Sequence, residues 1–168
     1  MRDPITACTR RARESSVYEK KYSHVQIMAA FFPKGKVTFT QVSDDIVVNV
    51  NVCGIPDGLH AFHIHEFGDV RNACNNAGPH YNPHKEQHGS PISMHKHEGD
   101  LGNVLSQNEC VSHSLTMPGT NVKDLVGRGV VFHEHADDMG LGGNEESKRT
   151  GNAGPRIACA PIVIAKNI

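Results

Sequence analysis

The sequence predicts an all-β protein, an antiparallel sandwich or barrel whose chemistry sits on two long loops. Short segments alternate apolar and polar residues with a period of two, as half-buried strands do. The chain has 16 glycines and no tryptophan, a balance that favours strands and turns over a helical bundle. Two polar stretches rich in Gly, Pro and Asn, 68–102 and 136–154, are longer than simple connections need to be. Loops of that length in a compact domain are functional or disordered, and these hold most of the histidines.

The elements follow in order. Residues 1–23 read as an extension outside the folded domain, which spans 24–168. Arg2, Arg10, Arg11, Arg13, Lys20 and Lys21 stand there among almost no apolar periodicity. The segment has no apolar h-region, so it does not read as a secretory signal, and Asp3, Glu14 and Glu19 argue against a transit peptide. Val25–Phe31 is a first strand. Val37 and Phe39 alternate ahead of a turn at Ser43-Asp44-Asp45. Ile46, Val48, Val50 and Val52 then share one face, so Lys36–Cys53 is predicted as a hairpin. Leu59–Glu66, Gly129–His133 and Arg156–Ile164 are further strands. Pro161 places the last of them at a sheet edge, or interrupts it there.

A chain of 168 residues is one domain able to bury its own core. The net charge of −1 gives no support for nucleic-acid binding. No apolar run approaches the roughly 20 residues of a membrane span. The five cysteines, Cys8, Cys53, Cys74, Cys110 and Cys159, contain no CxxC pair, which argues against a thiolate zinc knuckle or a thioredoxin motif.

Histidine carries the functional signal. Eight of the twelve, His60, His63, His65, His80, His84, His88, His95 and His97, lie within residues 60–97. Imidazole is the common ligand of zinc and copper. His63 and His65 are two apart on a predicted strand, so both project from one face while Phe62 and Ile64 fill the other. His80, His88, His97 and Asp100 offer three nitrogens and one oxygen, a tetrahedral set. His84 and His95 are spare candidates in the same loop. His133 lies far downstream, so such a site closes by tertiary folding.

Gly58-Leu-His-Ala-Phe-His-Ile-His-Glu-Phe-Gly-Asp69 resembles the copper-site signature of the copper–zinc superoxide dismutases. Ala77-Gly-Pro-His-Tyr-Asn-Pro83, Gly99-Asp-Leu-Gly-Asn103, His133-Glu-His-Ala-Asp-Asp138, Gly142-Gly-Asn-Glu-Glu-Ser147 and Thr150-Gly-Asn-Ala-Gly-Pro-Arg-Ile-Ala-Cys159 resemble its other blocks, in its order. The resemblance covers roughly 25–164 and implies an immunoglobulin-like Greek-key fold. It implies copper on His63, His65, His80 and His133, and zinc on His80, His88, His97 and Asp100, with His80 bridging and catalytic. Asp137 matches a carboxylate bonded to His63 and His88, and His60 a supporting histidine. Cys74 and Cys159 match the family disulfide, leaving Cys8, Cys53 and Cys110 as free thiols.

The implied reaction converts two superoxide anions to dioxygen and hydrogen peroxide, an antioxidant activity. Arg156 matches an anion-docking arginine and Thr150 a channel residue, with Glu145, Glu146 and Arg149 shaping the steering field. Phe67, Gly68, Gly127 and Ile164 match dimer contacts, so a homodimer is expected. Loading by a copper chaperone and a cytoplasmic location are expected too, with extracellular or mitochondrial forms left open.

Several residues depart from the family pattern: Ala61 for Gly, Pro155 for Ser or Gly before Arg156, His135 for Lys, and Pro161 and Val163 for Val and Gly. The segment 105–126 is shorter and has drifted. Pro155 could aim Arg156 differently, which keeps a metal-binding protein with little turnover in view. A copper chaperone with a dismutase-like domain is the other alternative, but no MxCxxC or CxC appears.

Overall fold

The computed structural model describes residues 27–166. The extension over 1–23, the domain start at residue 24, and Cys8 lie outside the described residues.

Eight antiparallel strands close into a barrel in the order β1-β2-β3-β6-β5-β4-β7-β8. They are β1 (Ile27–Phe32), β2 (Gly35–Val42), β3 (Asp45–Cys53), β4 (Gly58–His65), β5 (Asp100–Gln107), β6 (Cys110–Met117), β7 (Gly129–His133) and β8 (Arg156–Ile164). The β3–β4 connection passes over β6 and β5, and the β6–β7 connection passes over β5 and β4. These two crossings are the Greek-key element of the fold.

Alternation sets the interior. Val37 and Phe39 of β2, Ile46, Val48 and Val50 of β3, and Phe62 and Ile64 of β4 are all fully buried. Phe132 of β7 packs against Phe62 with ring centroids 4.9 Å apart, and against Phe32 edge-on at 5.4 Å. Each such side chain contributes about 1.5–3 kcal/mol on leaving water, so this cluster is what keeps the barrel closed.

Two strands carry too little alternation to be read from sequence. β6 runs Cys110-Val-Ser-His-Ser-Leu-Thr-Met117 and buries only Val111 and Met117. It pairs with β5 through a tight turn in which Asn108 and Glu109 both take positive φ, 52° and 57°. Glutamate is an uncommon choice there, so no turn signal marks the hairpin.

Pro161 is not at an edge. β8 pairs with β7 on one side and with β1 on the other. Ile162 donates its N–H to Arg128 of the β7 side. By alternation the nitrogen of Pro161 faces β1, just where that ladder ends at the Ala30–Ile162 pair. No donor is needed there, and the strand continues.

The expectation of free thiols at Cys53 and Cys110 is also overturned: they form a disulfide with Cα atoms 4.0 Å apart. They are 57 residues apart in sequence, and only the β3–β6 register brings them opposite one another. Cys74–Cys159 forms as well, tying the first long loop to β8.

Candidate metal centre

The centre is built on the outer faces of β4 and β7 and closed by both long loops. His63 and His65 project away from Phe62 and Ile64, and His133 away from Phe132. His80 reaches β4 through an isolated bridge to His65. His88 and His97 come from the same loop as His80, and Asp100 opens β5. All six histidines and Asp100 are buried, between 0 and 6% exposed.

Hydrogen bonds on one nitrogen of each ring leave the other free. His65 Nδ1 donates to the Gly78 carbonyl at 2.8 Å, and His133 Nδ1 to the Gly154 carbonyl at 3.0 Å. Their Nε2 atoms then face each other 3.2 Å apart. Asp137 accepts from His63 Nε2 and His88 Nε2, each at 2.7 Å. What remains is His63 Nδ1 and His80 Nε2, buried and without hydrogen-bond partners, while His88 Nδ1 meets only the Asp100 carboxylate. Buried polar atoms are rarely left so, and imidazole nitrogens without partners beside one another are what a cation site requires.

Ligand atoms of His63, His65, His80 and His133 lie within 4.8 Å of one another. A second group within the same limit joins His63, His80, His88 and Asp100. His97 completes that side better than His63. Its Nδ1 is 3.1 Å from Asp100 Oδ1 and 3.3 Å from His80 Nδ1. His88 Nδ1 lies 2.9 Å from the same oxygen. The edges of a tetrahedron with bonds of about 2.0–2.1 Å measure about 3.3 Å, so these donors fit a zinc ion nearly as they stand.

The electrostatics suit the same purpose. Burial, then the neighbouring His80, pushes the His63 imidazole down to about 3. Burial likewise takes His133 down to about 4, and lowers His65 and His80. All four rings are therefore neutral and able to ligate. His88 differs: burial opposes its charge, but hydrogen bonds to Asp100 and Asp137 raise it to about 9. Its proton balances two carboxylates that the histidines hold well below their usual range, against the opposing effect of burial, and a cation bound at His88 Nδ1 would take over that charge.

His60 sets its ring between the carbonyls of His133 and Pro56, 2.8 Å from each, and so braces the end of β7. His95 is exposed and faces Glu86 at 3.1 Å, and neither it nor His84 joins the cluster. Ala61 is fully buried at the β4 bulge, its N–H donated to His135.

A pocket of about 670 Å³ opens onto His65, His80 and His133. Arg156, Thr150, Arg149 and Glu146 line it. Glu145 instead borders a neighbouring hollow beside His80 and His97. Arg156 half-buries its guanidinium and donates to the carbonyls of Cys74, Asn75 and Gly78. Pro155 thus leaves Arg156 in the pocket. Glu146 is occupied by Arg149 and by the Thr150 hydroxyl, all on helix α1 (Glu145–Thr150), which Asn144 caps.

Sequence reasoning missed Asn103. Its amide accepts from the Asp137 N–H at 2.7 Å and donates to the Asp137 carbonyl at 2.9 Å, fixing the carboxylate that orients two rings. The Gly99–Asn103 block contained it, but no spacing rule marks a residue that grips a backbone. Gly151 is a second case. Its φ is +68°, and an added Cβ would strike the Asp137 carboxylate and the His88 ring.

Fold and site together define a β-barrel protein with two adjoining ligand sets that meet at His63 and His80. The copper/zinc superoxide dismutase family model matches residues 33–162. Superoxide dismutase [Cu-Zn] A of Xenopus laevis is 47% identical over 133 residues, 77% of this chain and 88% of that protein. A crystal structure of the clock protein EA4 superposes with a TM-score of 0.77 at 37% identity, covering 84% of this chain and 96% of that one. The chain belongs to the copper/zinc superoxide dismutase family.

Proposed function

We propose that this chain converts two superoxide anions and two protons to dioxygen and hydrogen peroxide. The observation that carries the reading is His80. It turns Nδ1 to Asp100 and His97 and leaves Nε2 unpartnered among His63, His65 and His133. His63 Nδ1, His65 Nε2, His80 Nε2 and His133 Nε2 would hold copper. His80 Nδ1, His88 Nδ1, His97 Nδ1 and Asp100 Oδ1 would hold zinc. Copper supplies one-electron redox chemistry, and zinc a redox-silent cation.

The protein's own groups do the rest. Asp137 orients His63 and His88 and fixes their tautomers. Arg156, held by three carbonyls, offers its charge to a small anion in the pocket. His80 Nε2 is placed to hold a proton beside that anion, since Nδ1 is engaged by the Asp100 side.

A symmetric homodimer is part of the same proposal. Phe67 and Ile164 are exposed, 54% and 69%, and the Gly68 N–H that follows Phe67 donates to Gly127. Sedimentation as a monomer at micromolar concentration would refute it. Delivery by a copper chaperone belongs to the same proposal.

Elemental analysis after loading tests the assignment. One copper and one zinc per chain are expected, with His133→Ala losing copper and His97→Ala losing zinc. Zinc uptake without bindable copper, or no superoxide decay by the loaded protein, overturns it.

A further inference from the structure

The disulfide Cys53–Cys110 has no part in the metal centre. It closes the last pair of the β3–β6 ladder, which runs through eight residue pairs from Ile46–Met117. Those strands are held by the ladder whether or not the sulfurs are joined. Cys53 is exposed and Cys110 half-buried. In contrast, Cys74 is buried, 8% exposed, and its carbonyl accepts from Arg156.

Cys53 also borders a concavity of about 360 Å³, with Phe32, Val52 and Ile55 as apolar walls and Lys34 at its rim. Lys34 accepts the Cys53 N–H at its carbonyl, 2.8 Å away, and its side chain passes over Gly54. Cys110 follows Glu109, with Asp57 bonded to the Glu109 N–H. Lys34 thus sets a cation at the rim of the concavity that Cys53 borders, while Glu109 and Asp57 lie outside it.

We propose that Cys53–Cys110 is a thiol-exchange site for a small anionic thiol of the glutathione class, docked at Lys34 and attacking Cys53. The incoming thiolate forms a bond to Cys53 Sγ. The Cys53–Cys110 bond breaks, and Cys110 leaves as a thiolate that takes a proton from water. A second thiolate attacks the bound thiol's sulfur, releasing Cys53 and one small-molecule disulfide. Two thiols are thus oxidised and the protein disulfide is reduced to two thiols. Exposure and access make this bond more labile than one ending in a buried sulfur. Cys159 borders the same concavity, but exchange there would have to expel the buried Cys74.

The metal-loaded full chain is treated with reduced glutathione, quenched by alkylation and mapped by mass spectrometry. Cys53–Cys110 should open roughly tenfold faster than Cys74–Cys159. Lys34→Glu should slow opening by glutathione several-fold, but not by the cationic thiol cysteamine. High salt should erase that difference. In Cys110→Ser, oxidised glutathione should add at Cys53 faster than it adds at Cys110 in Cys53→Ser. Prior opening of Cys74–Cys159 overturns the proposal. So does a Lys34→Glu variant that treats both thiols as the parent does, and that comparison stands even if the serine variants fold poorly.

Discussion

Removing each disulfide in turn separates what holds the barrel from what holds the site. Cys53 and Cys110 are 57 residues apart, and Cys74 and Cys159 are 85 apart. Chain entropy depends only logarithmically on that length, so each bond contributes at most about 4–4.6 kcal/mol by restricting the unfolded chain. The folded-state consequences differ sharply. Cys53→Ser with Cys110→Ser leaves a fully paired ladder and touches no ligand. Cys74→Ser with Cys159→Ser frees the loop whose Cys74, Asn75 and Gly78 carbonyls seat Arg156, and whose Gly78 carbonyl fixes His65. Urea unfolding should therefore show similar losses of stability, on the order of several kcal/mol. Superoxide turnover of the loaded proteins should fall only in the second variant. If the first variant loses turnover or copper, the separation of barrel from site is wrong. If the second keeps both, the loop does not depend on its disulfide.

The remaining predictions concern charge. Arg156→Ala should lower turnover roughly tenfold while both metals stay bound, because the guanidinium touches only carbonyls and the pocket. Stopped-flow superoxide decay at two ionic strengths checks it: the parent should slow more with salt than the variant. Pro155→Ser is the companion, and unchanged turnover is expected since Arg156 is already seated. The metal-free protein should lose stability as pH falls from about 6.5 to 4. His63 and His133 stay neutral in the fold until about 3 and 4, while their unfolded forms take up protons from 6.5 downward. The unfolded chain then binds more protons, so acid favours it. His88, raised to about 9, is charged in the fold across that window, and its unfolded form is nearly fully charged within about a unit below 6.5, so it opposes the loss only at the top of the window. Thermal melts of chelated protein that are flat over this range would refute the account.

What was legible in the sequence was whatever alternates or repeats a ligand type. The β2–β3 hairpin and β7 announce themselves through Val, Ile and Phe at every second position, and His63 and His65 through the same period. β5 and β6 were hidden because their exposed faces are mixed and their turn uses Asn108 and Glu109. Cys53–Cys110 was hidden because a cross-strand bond depends on register between non-consecutive strands, which no local pattern encodes. Asn103 and the carbonyls of Gly78 and Gly154 were hidden for a related reason. The two glycines act through their own carbonyls and Asn103 grips the backbone of Asp137, and every residue has a backbone.

Strand β4 ties two requirements to one alignment. Phe62 and Ile64 fill the barrel while His63 and His65 serve the centre outside it. A slip of one residue against β7 would drive two imidazoles into the oil of the interior and present two hydrocarbons where ligands belong. A barrel misaligned there by one residue cannot be both tightly packed and metal-competent. Metal uptake is therefore a proofreading signal for the fold itself: a molecule that accepts its ions has already placed β4 correctly.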